Sequence, residues 1–230
     1  MTKNSTTRRK AILSLSMSTA GILVGGCPSQ QPPNTNTPPE PPTPDLPPPV
    51  EECEETGAQT AGPFYPGEPE AMKDISGDRV GVPLRIEFRV VDVTDGCTDI
   101  ANAEVDLWHA DANGDYSGYE DFQTEGEDWL RGQQVTDEHG FARFTSIFPG
   151  SYPGRSVHVH VKVRAEGYDE LTTQVYFPDD LVASILNKSG YNGAGHTLLV
   201  NDNFFSSETL SEVADGEDGG IFAEIVLGLA

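Results

Sequence analysis

The chain has 230 residues, and 37 acidic against 14 basic side chains give it a formal net charge of −23. This charge excludes nucleic acid as a partner and argues against anionic lipid surfaces, because binding phosphate groups requires clustered lysine and arginine. Hydrophobic residues make up 36%, which indicates one compact domain beside a segment that builds no core.

Residues 1–26 have the pattern of an export signal. Basic side chains near the start precede an apolar stretch over residues 11–26, which is shorter than the roughly 20 residues that a membrane-spanning helix needs. The stretch ends in Gly25-Gly26-Cys27, which resembles the lipobox of bacterial lipoproteins. The resemblance implies cleavage before Cys27 and lipid on its sulfur. An ordinary signal peptide with an incidental cysteine is the alternative.

Residues 27–50 form a predicted tether. Eleven prolines lie between residues 28 and 50, separated mostly by Ser, Gln, Asn and Thr. Such a stretch stays extended and semi-rigid and builds no core. Lipid on Cys27 followed by this tether predicts an exported protein that is anchored to the bacterial cell envelope, at the outer membrane, on its periplasmic or surface side. The lipid is then the only predicted contact with a membrane, and residues 51–230 are the folded domain.

The chain has three cysteines. If Cys27 carries lipid, Cys53 and Cys97 remain as a pair in an oxidising compartment, where disulfides persist. We therefore predict a disulfide between Cys53 and Cys97, with two separate buried thiols as the alternative. In the chain-entropy account, closing a loop of this length stabilises the fold by roughly 4 kcal/mol.

The folded domain shows the alternation of apolar and polar side chains that is typical of half-buried strands. The predicted strands are residues 84–90, 103–107, 141–147, 157–163, 171–177, 197–200 and 221–227. One helix is predicted at residues 181–186, with Asp179 or Asp180 as its N-cap. Short strands separated by turn pairs such as Asn113-Gly114 favour an all-β fold with little helix, an antiparallel β-sandwich of Greek-key type.

The most specific feature of the chain is a His-x-His pair on the predicted strand at residues 157–163. Residues two apart in a strand point to the same face, so His158 and His160 present two imidazoles side by side, spaced for one metal ion. Lys162 and Arg164 continue this face, which leaves a solvated edge as the alternative. The pair does not choose the metal, since imidazole suits zinc and copper equally well.

Two tyrosines favour the metal interpretation. Tyr152 lies in the turn that leads into the histidine strand, and Tyr116 follows a strand end and a tight turn at residues 108–115. A phenol with a pKa near about 10 ionises at neutral pH only beside a strongly charged partner, and a hard trivalent ion such as Fe(III) is such a partner. Taken alone, each tyrosine is also compatible with a core aromatic whose hydroxyl is hydrogen-bonded.

Four segments together resemble the intradiol ring-cleavage dioxygenases, the non-haem iron family that includes catechol and protocatechuate dioxygenases. The matching segments are residues 60–66, 108–116, 140–160 and 171–177, in family order. The resemblance covers residues 56–228 and is closest to the small exported members, which share the short link Tyr152-Pro153-Gly154-Arg155. The fold that it implies is a prealbumin-like sandwich.

The resemblance also implies roles for individual residues. The ferric ligands of the family match Tyr116, Tyr152, His158 and His160. Tyr152 matches the ligand that leaves the metal when substrate binds, Arg155 the arginine beside the substrate ring, and Gln174 the glutamine on the oxygen-binding side. The implied activity is that of a non-haem Fe(III) enzyme that cleaves a small catechol-type diol with O2 to a cis,cis-muconate-type diacid.

The same region also resembles transthyretin-like carrier modules of surface proteins, which are non-catalytic binding or spacer domains without metal. The shared pattern runs from Gly96 through Trp108 to Tyr152, and a proline-rich stalk on a lipid anchor would suit such a module. These modules do not require the two histidines, the arginine and the glutamine that the chain carries. The enzyme is therefore the preferred interpretation.

Overall fold

The computed structural model describes residues 47–65, 67, 69–192 and 195–230. The predicted signal peptide at residues 1–26, the predicted lipidation site Cys27 and the tether up to residue 46 lie outside these residues. In the described part of the chain, no helix is both long enough and apolar enough to cross a membrane.

Two β-sheets build the described domain. The strands are β1 Pro83–Asp92, β2 Thr98–Asp99, β3 Glu104–Trp108, β4 Arg131–Val135, β5 Phe141–Ile147, β6 His158–Arg164, β7 Leu171–Tyr176, β8 Glu212–Asp215 and β9 Ile221–Leu229. The helix α1 spans Asp179–Leu186, and 3-10 turns lie at Val93–Asp95, Glu120–Phe122, Leu199–Asn201, Ser207–Thr209 and Glu217–Gly219. The first sheet has the order β2-β1-β9-β8 with β5 also paired to β1, and the second has the order β4-β3-β6-β7. The prediction of an all-β sandwich with little helix is confirmed.

The hydrophobic core contains the inner faces of both sheets. Its fully buried members include Leu84, Ile86, Phe88 and Val90 from β1 and Val159, Val161 and Val163 from β6. Because successive side chains of a strand alternate between faces, this burial turns His158 and His160 to the outer face of the second sheet. β6 is paired on both sides, with β3 and β7, so the two histidines lie in the middle of that sheet.

One strand pairing differs from the predicted antiparallel arrangement. β1 and β9 run parallel, from Leu84 opposite Ile221 to Asp92 opposite Leu229. Alternation of apolar and polar residues shows which face of a strand is buried, but it carries no information on the direction of the neighbouring strand. The predicted antiparallel arrangement therefore holds for the other strand pairs of the sandwich but not for this one.

The predicted strand at residues 197–200 was also wrong. This segment is a loop that leads into the 3-10 turn at Leu199–Asn201, and Val200 is 84% exposed, so no sheet covers its side chain. Conversely, alternation missed β4, whose only large apolar side chain, Val135, is exposed. It also missed the short strands β2 and β8. The helix begins at Asp179, and Pro178 takes the N-cap position that was assigned to an aspartate.

A disulfide joins Cys53 to Cys97, which are 44 residues apart in the sequence and have Cα atoms 5.9 Å apart. Next to Cys53, Thr56 is hydrogen-bonded to Gly228 in β9 through its backbone amide at 3.0 Å. The segment that precedes β1 is therefore fastened to the first sheet both covalently and by backbone hydrogen bonding.

Candidate metal centre

Four side chains singled out by the sequence meet on the outer face of the second sheet. His158 and His160 come from β6, whereas Tyr116 and Tyr152 come from the loops that follow β3 and β5. The two phenol oxygens are 3.4 Å apart, Tyr152 Oη lies 2.9 Å from His158 Nε2, and the two Nε2 atoms are 3.2 Å apart. Two oxygens and two nitrogens thus converge on one small volume, which we call the donor cluster.

Hydrogen bonding fixes the protonation of His158. Its Nδ1 lies 2.7 Å from the carbonyl oxygen of Ser156. A carbonyl only accepts, so Nδ1 carries the hydrogen and Nε2 presents a bare lone pair to the donor cluster. Burial, reinforced by the positive charge of Arg155, lowers the pKa of His158 to about 3. The ring is therefore neutral at pH 7 and Nε2 is available as a ligand.

Stacking fixes the orientation of the His160 ring. Its ring lies against the indole of Trp108, with 5.0 Å between centroids and 7° between planes, and its Nδ1 is buried without a hydrogen-bond partner among the described residues. Burial and the neighbouring His158 lower its pKa well below the ordinary value. Both histidines are 2% exposed, so the alternative of a solvated edge does not hold for them.

Burial keeps the two phenols protonated when no cation is near. It raises the pKa of Tyr116 well above its ordinary value and also raises the pKa of Tyr152, an effect that Arg155 partly offsets. Tyr116 is fully buried beneath Phe64, whose ring stacks on it at 4.6 Å, whereas Tyr152 is only half-buried. Tyr152 is thus the phenol with the easier route to solvent.

The donor cluster fits a hard, highly charged cation. Two neutral imidazoles that meet Nε2 to Nε2 at 3.2 Å require a proton or a cation between them, and a cation also stabilises the ionised form of a buried phenol. Iron accepts imidazole nitrogen, and its ferric form matches phenolate oxygen. Elsewhere in the described residues, no group of three or more His, Cys, Asp or Glu is placed to hold a metal ion.

Arg155 lies beside the donor cluster and is held by three side chains. Its Nε donates to Asp202 Oδ2 at 3.0 Å, and its Nη2 donates to Gln174 Oε1 and, at 3.0 Å, to Tyr176 Oη. Gln174 in turn donates to the carbonyl oxygen of Thr60 at 3.1 Å. The guanidinium and the amide that the sequence singled out therefore belong to one network next to the four candidate ligands.

Sequence reasoning missed Asp202 as a site residue. Its carboxylate accepts from the backbone amide of Ser156 at 2.8 Å as well as from Arg155. Burial alone would raise the pKa of Asp202, but backbone hydrogen bonds and the charge of Arg155 lower it overall. No local signal marks this residue, because one aspartate among many in an acidic chain shows its role only after the fold brings it to Arg155.

The other features near the site do not join the donor cluster. His109 is buried with both ring nitrogens engaged, Nδ1 by the Ala110 carbonyl and Nε2 by Ser146 Oγ, and burial lowers its pKa to about 4. A cavity of about 310 Å³ is lined by Tyr65, Pro69, Glu70, Met72, Gly118, Tyr119, Glu127, Asp128 and Arg131. It includes none of the four candidate ligands, Arg155 or Gln174, so the chemistry is argued from the donor cluster.

Comparison with known proteins agrees with this geometry. A family profile described as Dioxygenase matches residues 62–208, which include all four candidate ligands. The chain is 30% identical to chlorocatechol 1,2-dioxygenase of Rhodococcus opacus over 151 residues, which cover 54% of this chain and 57% of that enzyme. It is 36% identical to chlorocatechol 1,2-dioxygenase of Pseudomonas putida over 96 residues, or 34% of this chain and 36% of that enzyme. The chain therefore spans only part of the length of these relatives.

A solved structure extends the likeness to the whole domain. The intradiol ring-cleavage dioxygenase from Tetranychus urticae superposes with a TM-score of 0.72 at 27% sequence identity, covering 77% of this chain and 95% of that one.

Proposed function

Because this chain belongs to the intradiol ring-cleavage dioxygenase family, we propose that it opens the ring of a catechol-type aromatic diol with O2. The bond between the two hydroxyl-bearing carbons breaks, both atoms of O2 enter the product, and the product is a cis,cis-muconate-type diacid. The donor cluster carries this proposal, with 2.9, 3.2 and 3.4 Å between successive donor atoms. A spacer module of the transthyretin type has no need of such a cluster.

In this proposal Tyr116, Tyr152, His158 and His160 hold a non-haem ferric ion. When bound there, the ion supplies the positive charge that favours ionisation of both diol hydroxyls and makes the ring reactive toward O2. Phe64 contributes by covering the cluster: it stacks on Tyr116 and meets Tyr119 and Phe122 edge-on at 5.0 and 5.1 Å. This aromatic cover keeps water away from the deeper phenol and strengthens the local electrostatics.

Tyr152 is the residue that accepts a proton from the substrate. It is the less buried of the two phenols, and its Oη lies 2.9 Å from His158 Nε2. With a ferric ion held there, Tyr152 would be a phenolate, and its Oη would be the group placed to accept a hydroxyl proton from a diol that enters the donor cluster. Burial raises the pKa of Tyr152, so the phenol retains that proton at neutral pH.

Arg155 and Gln174 orient and stabilise the bound ring. The guanidinium places a fixed positive charge beside an anionic diol and beside the negative charge that develops in its ring during oxygen attack. Asp202, with a side chain only 1% exposed, keeps Arg155 in place before substrate arrives. Gln174 is opposite His160 in the pairing of β6 with β7, and we assign it to the side on which O2 approaches.

Iron-loaded protein is expected to show the broad visible absorption of phenolate bound to Fe(III), and to consume one O2 for each diol converted to a diacid. An oxygen electrode and product ultraviolet spectra would be used with catechol, protocatechuate and hydroxyquinol. Protein loaded with zinc is the control, since zinc binds imidazole nitrogen without redox chemistry or visible colour. Colourless iron-loaded protein, or no oxygen uptake with any diol, would contradict the proposal.

We also propose that the domain is exported and anchored by lipid on Cys27, on the basis of the Gly25-Gly26-Cys27 sequence and the tether that follows. Cells that express the full chain and are fed labelled palmitate should incorporate label into the wild type and into Ser29→Ala. Cys27→Ser should incorporate none and should leave the membrane fraction. Label retained by Cys27→Ser would rule out this anchor.

A further inference from the structure

Three exposed apolar side chains lie in a loop next to the proposed active site and have no role in the chemistry above. Leu198, Val200 and Phe204 are 43%, 84% and 44% exposed, and all three belong to the loop of residues 197–206 that replaces a predicted strand. We call these three residues the apolar lip. Three of the six large apolar side chains that are exposed among the described residues lie in this one loop, and exposed apolar side chains that are gathered in one place mark binding sites, whereas scattered ones do not.

The lip is fixed to the site through Asp202. The Oδ1 atom of this carboxylate accepts from the backbone amide of Phe204 at 2.9 Å, while Oδ2 accepts from Arg155 and from the Ser156 amide. The ring of Phe205 packs edge-on against Tyr176 at 5.4 Å. The loop is therefore held against the same network that positions Arg155.

Phe204 is the member of the lip that reaches the site directly. The guanidinium carbon of Arg155 lies 4.7 Å from the centroid of the Phe204 ring. Arg155 Nη2 also donates to Tyr176 Oη at 3.0 Å, and the Tyr176 ring lies 5.6 Å from the ring of His158. Arg155 thus contacts Phe204 and is linked through Tyr176 to the donor cluster. A diol whose oxygens enter the cluster and whose ring lies beside Arg155 would have Phe204 as its next neighbour outward.

The charged groups near the site indicate which ring substituents could bind next to Phe204. Arg155 is committed to Asp202, and Arg131 to the hydroxyl and carbonyl of Ser117 and to the carbonyl of Phe64. Lys162, further along the outer face of β6, pairs with Glu170 at 2.8 Å. A carboxylate on the substrate ring would have to compete with these partners for a cation, and the net charge of −23 would repel it.

We propose that the apolar lip binds a neutral, apolar substituent on the ring of the diol, so that alkyl-substituted catechols are better substrates than catechol itself or carboxylated diols. This proposal rests on the proposed function and specifies its substrate class. Burying one CH2 group contributes about 0.8 kcal/mol, which is roughly fourfold in a rate or binding constant. A partly buried propyl chain should therefore give an advantage of about tenfold.

The test compares 4-propylcatechol with catechol in wild type, Phe204→Ser and Val80→Ser. The ratio of the two kcat/KM values should be about ten in wild type and fall about fivefold or more in Phe204→Ser. The ratio should not change in Val80→Ser. Val80 is also an exposed apolar residue, at 81%, but it lies just before β1 of the first sheet and not in the loop of the apolar lip. Protocatechuate should be the poorest of the three substrates in wild type.

Anaerobic calorimetry tests whether the apolar lip binds the substituent even if the protein does not cleave the diol. Iron-loaded wild type should bind 4-propylcatechol about tenfold more tightly than catechol, and Phe204→Ser should lose most of this preference. If both proteins cleave the ring and the ratio of kcat/KM for 4-propylcatechol to kcat/KM for catechol is the same in Phe204→Ser and wild type, the role of the apolar lip is refuted and the proposed function stands. A preference of wild type for protocatechuate would have the same meaning. Absence of all cleavage would overturn the function, and the calorimetric preference would then decide whether the lip binds the substituent.

Discussion

Replacing His160 by alanine is expected to lower iron affinity by more than about 100-fold, since even residues that only support a metal ligand contribute 10- to 100-fold. The imidazole is 2% exposed and its Nε2 lies 3.2 Å from that of His158, so alanine would leave a buried position of the donor cluster without its nitrogen ligand. The visible absorption of iron-loaded protein should disappear together with oxygen uptake. Iron content per chain, the absorption spectrum and oxygen consumption would be measured on the same preparation.

His139→Ala is the matched control for this loss. His139 lies in the turn before β5, its side chain is 33% exposed, and its nearest charged partner is Glu138 at 3.6 Å. Its replacement should leave iron content, colour and oxygen uptake at wild-type values. Circular dichroism of both variants would show that the sandwich remains folded. A folded His160→Ala protein that binds one iron per chain with an unchanged spectrum would refute the assignment of His160 as a ligand.

Replacing Arg155 by methionine is expected to lower kcat/KM for catechol by about 100- to 1,000-fold, the usual cost of removing one preorganised charge from a reacting centre. Iron content and colour should persist, because Arg155 is not one of the four candidate ligands. This combination of retained colour and lost activity distinguishes a substrate-binding role from a role in holding metal. Steady-state oxygen uptake and iron analysis would supply the two readouts.

Two further variants define the role of Arg155. Arg155→Lys keeps the charge but loses the fork that bonds Asp202, Gln174 and Tyr176 at once, so its kcat/KM should fall between those of wild type and Arg155→Met. Arg85→Met removes a more exposed arginine from the first sheet, where it pairs with Glu217 at 3.0 Å, and should behave as wild type. Equal activities for Arg155→Met and Arg85→Met would contradict the assigned role.

The strand pattern predicted half of the donor cluster. Side chains alternate in any strand, so His158 and His160 had to share a face once Val157, Val159 and Val161 were assigned to the core. The same argument could not place Tyr116 and Tyr152, which come from loops. The path of a loop depends on contacts far along the chain, and only the resemblance to a family with known ligands indicated that these two phenols belong with the histidines.

In the loop of residues 197–206, the local pattern gave a wrong prediction. Its apolar residues predicted a strand, but the hydrogen bonds that shape it are non-local: Asp202 reaches Arg155 across 47 residues, and Asp179 Oδ1 accepts from the Leu199 amide across 20. These contacts draw the loop toward the candidate site and leave Val200 in solvent. The pattern of apolar residues cannot predict this path of the loop, because it does not show which distant residues form hydrogen bonds with the backbone.

By itself, the sequence determined the all-β class, the faces of the central strands and the supply of phenol, imidazole and guanidinium groups, since each follows from side-chain chemistry or from the two-residue period of a strand. The tertiary structure alone decided that β1 and β9 run parallel, that both histidines are buried, and that Asp202 holds Arg155. These features join segments that are distant in the sequence. They depend on which loops close and which surfaces pack together, and local periodicity carries no record of either.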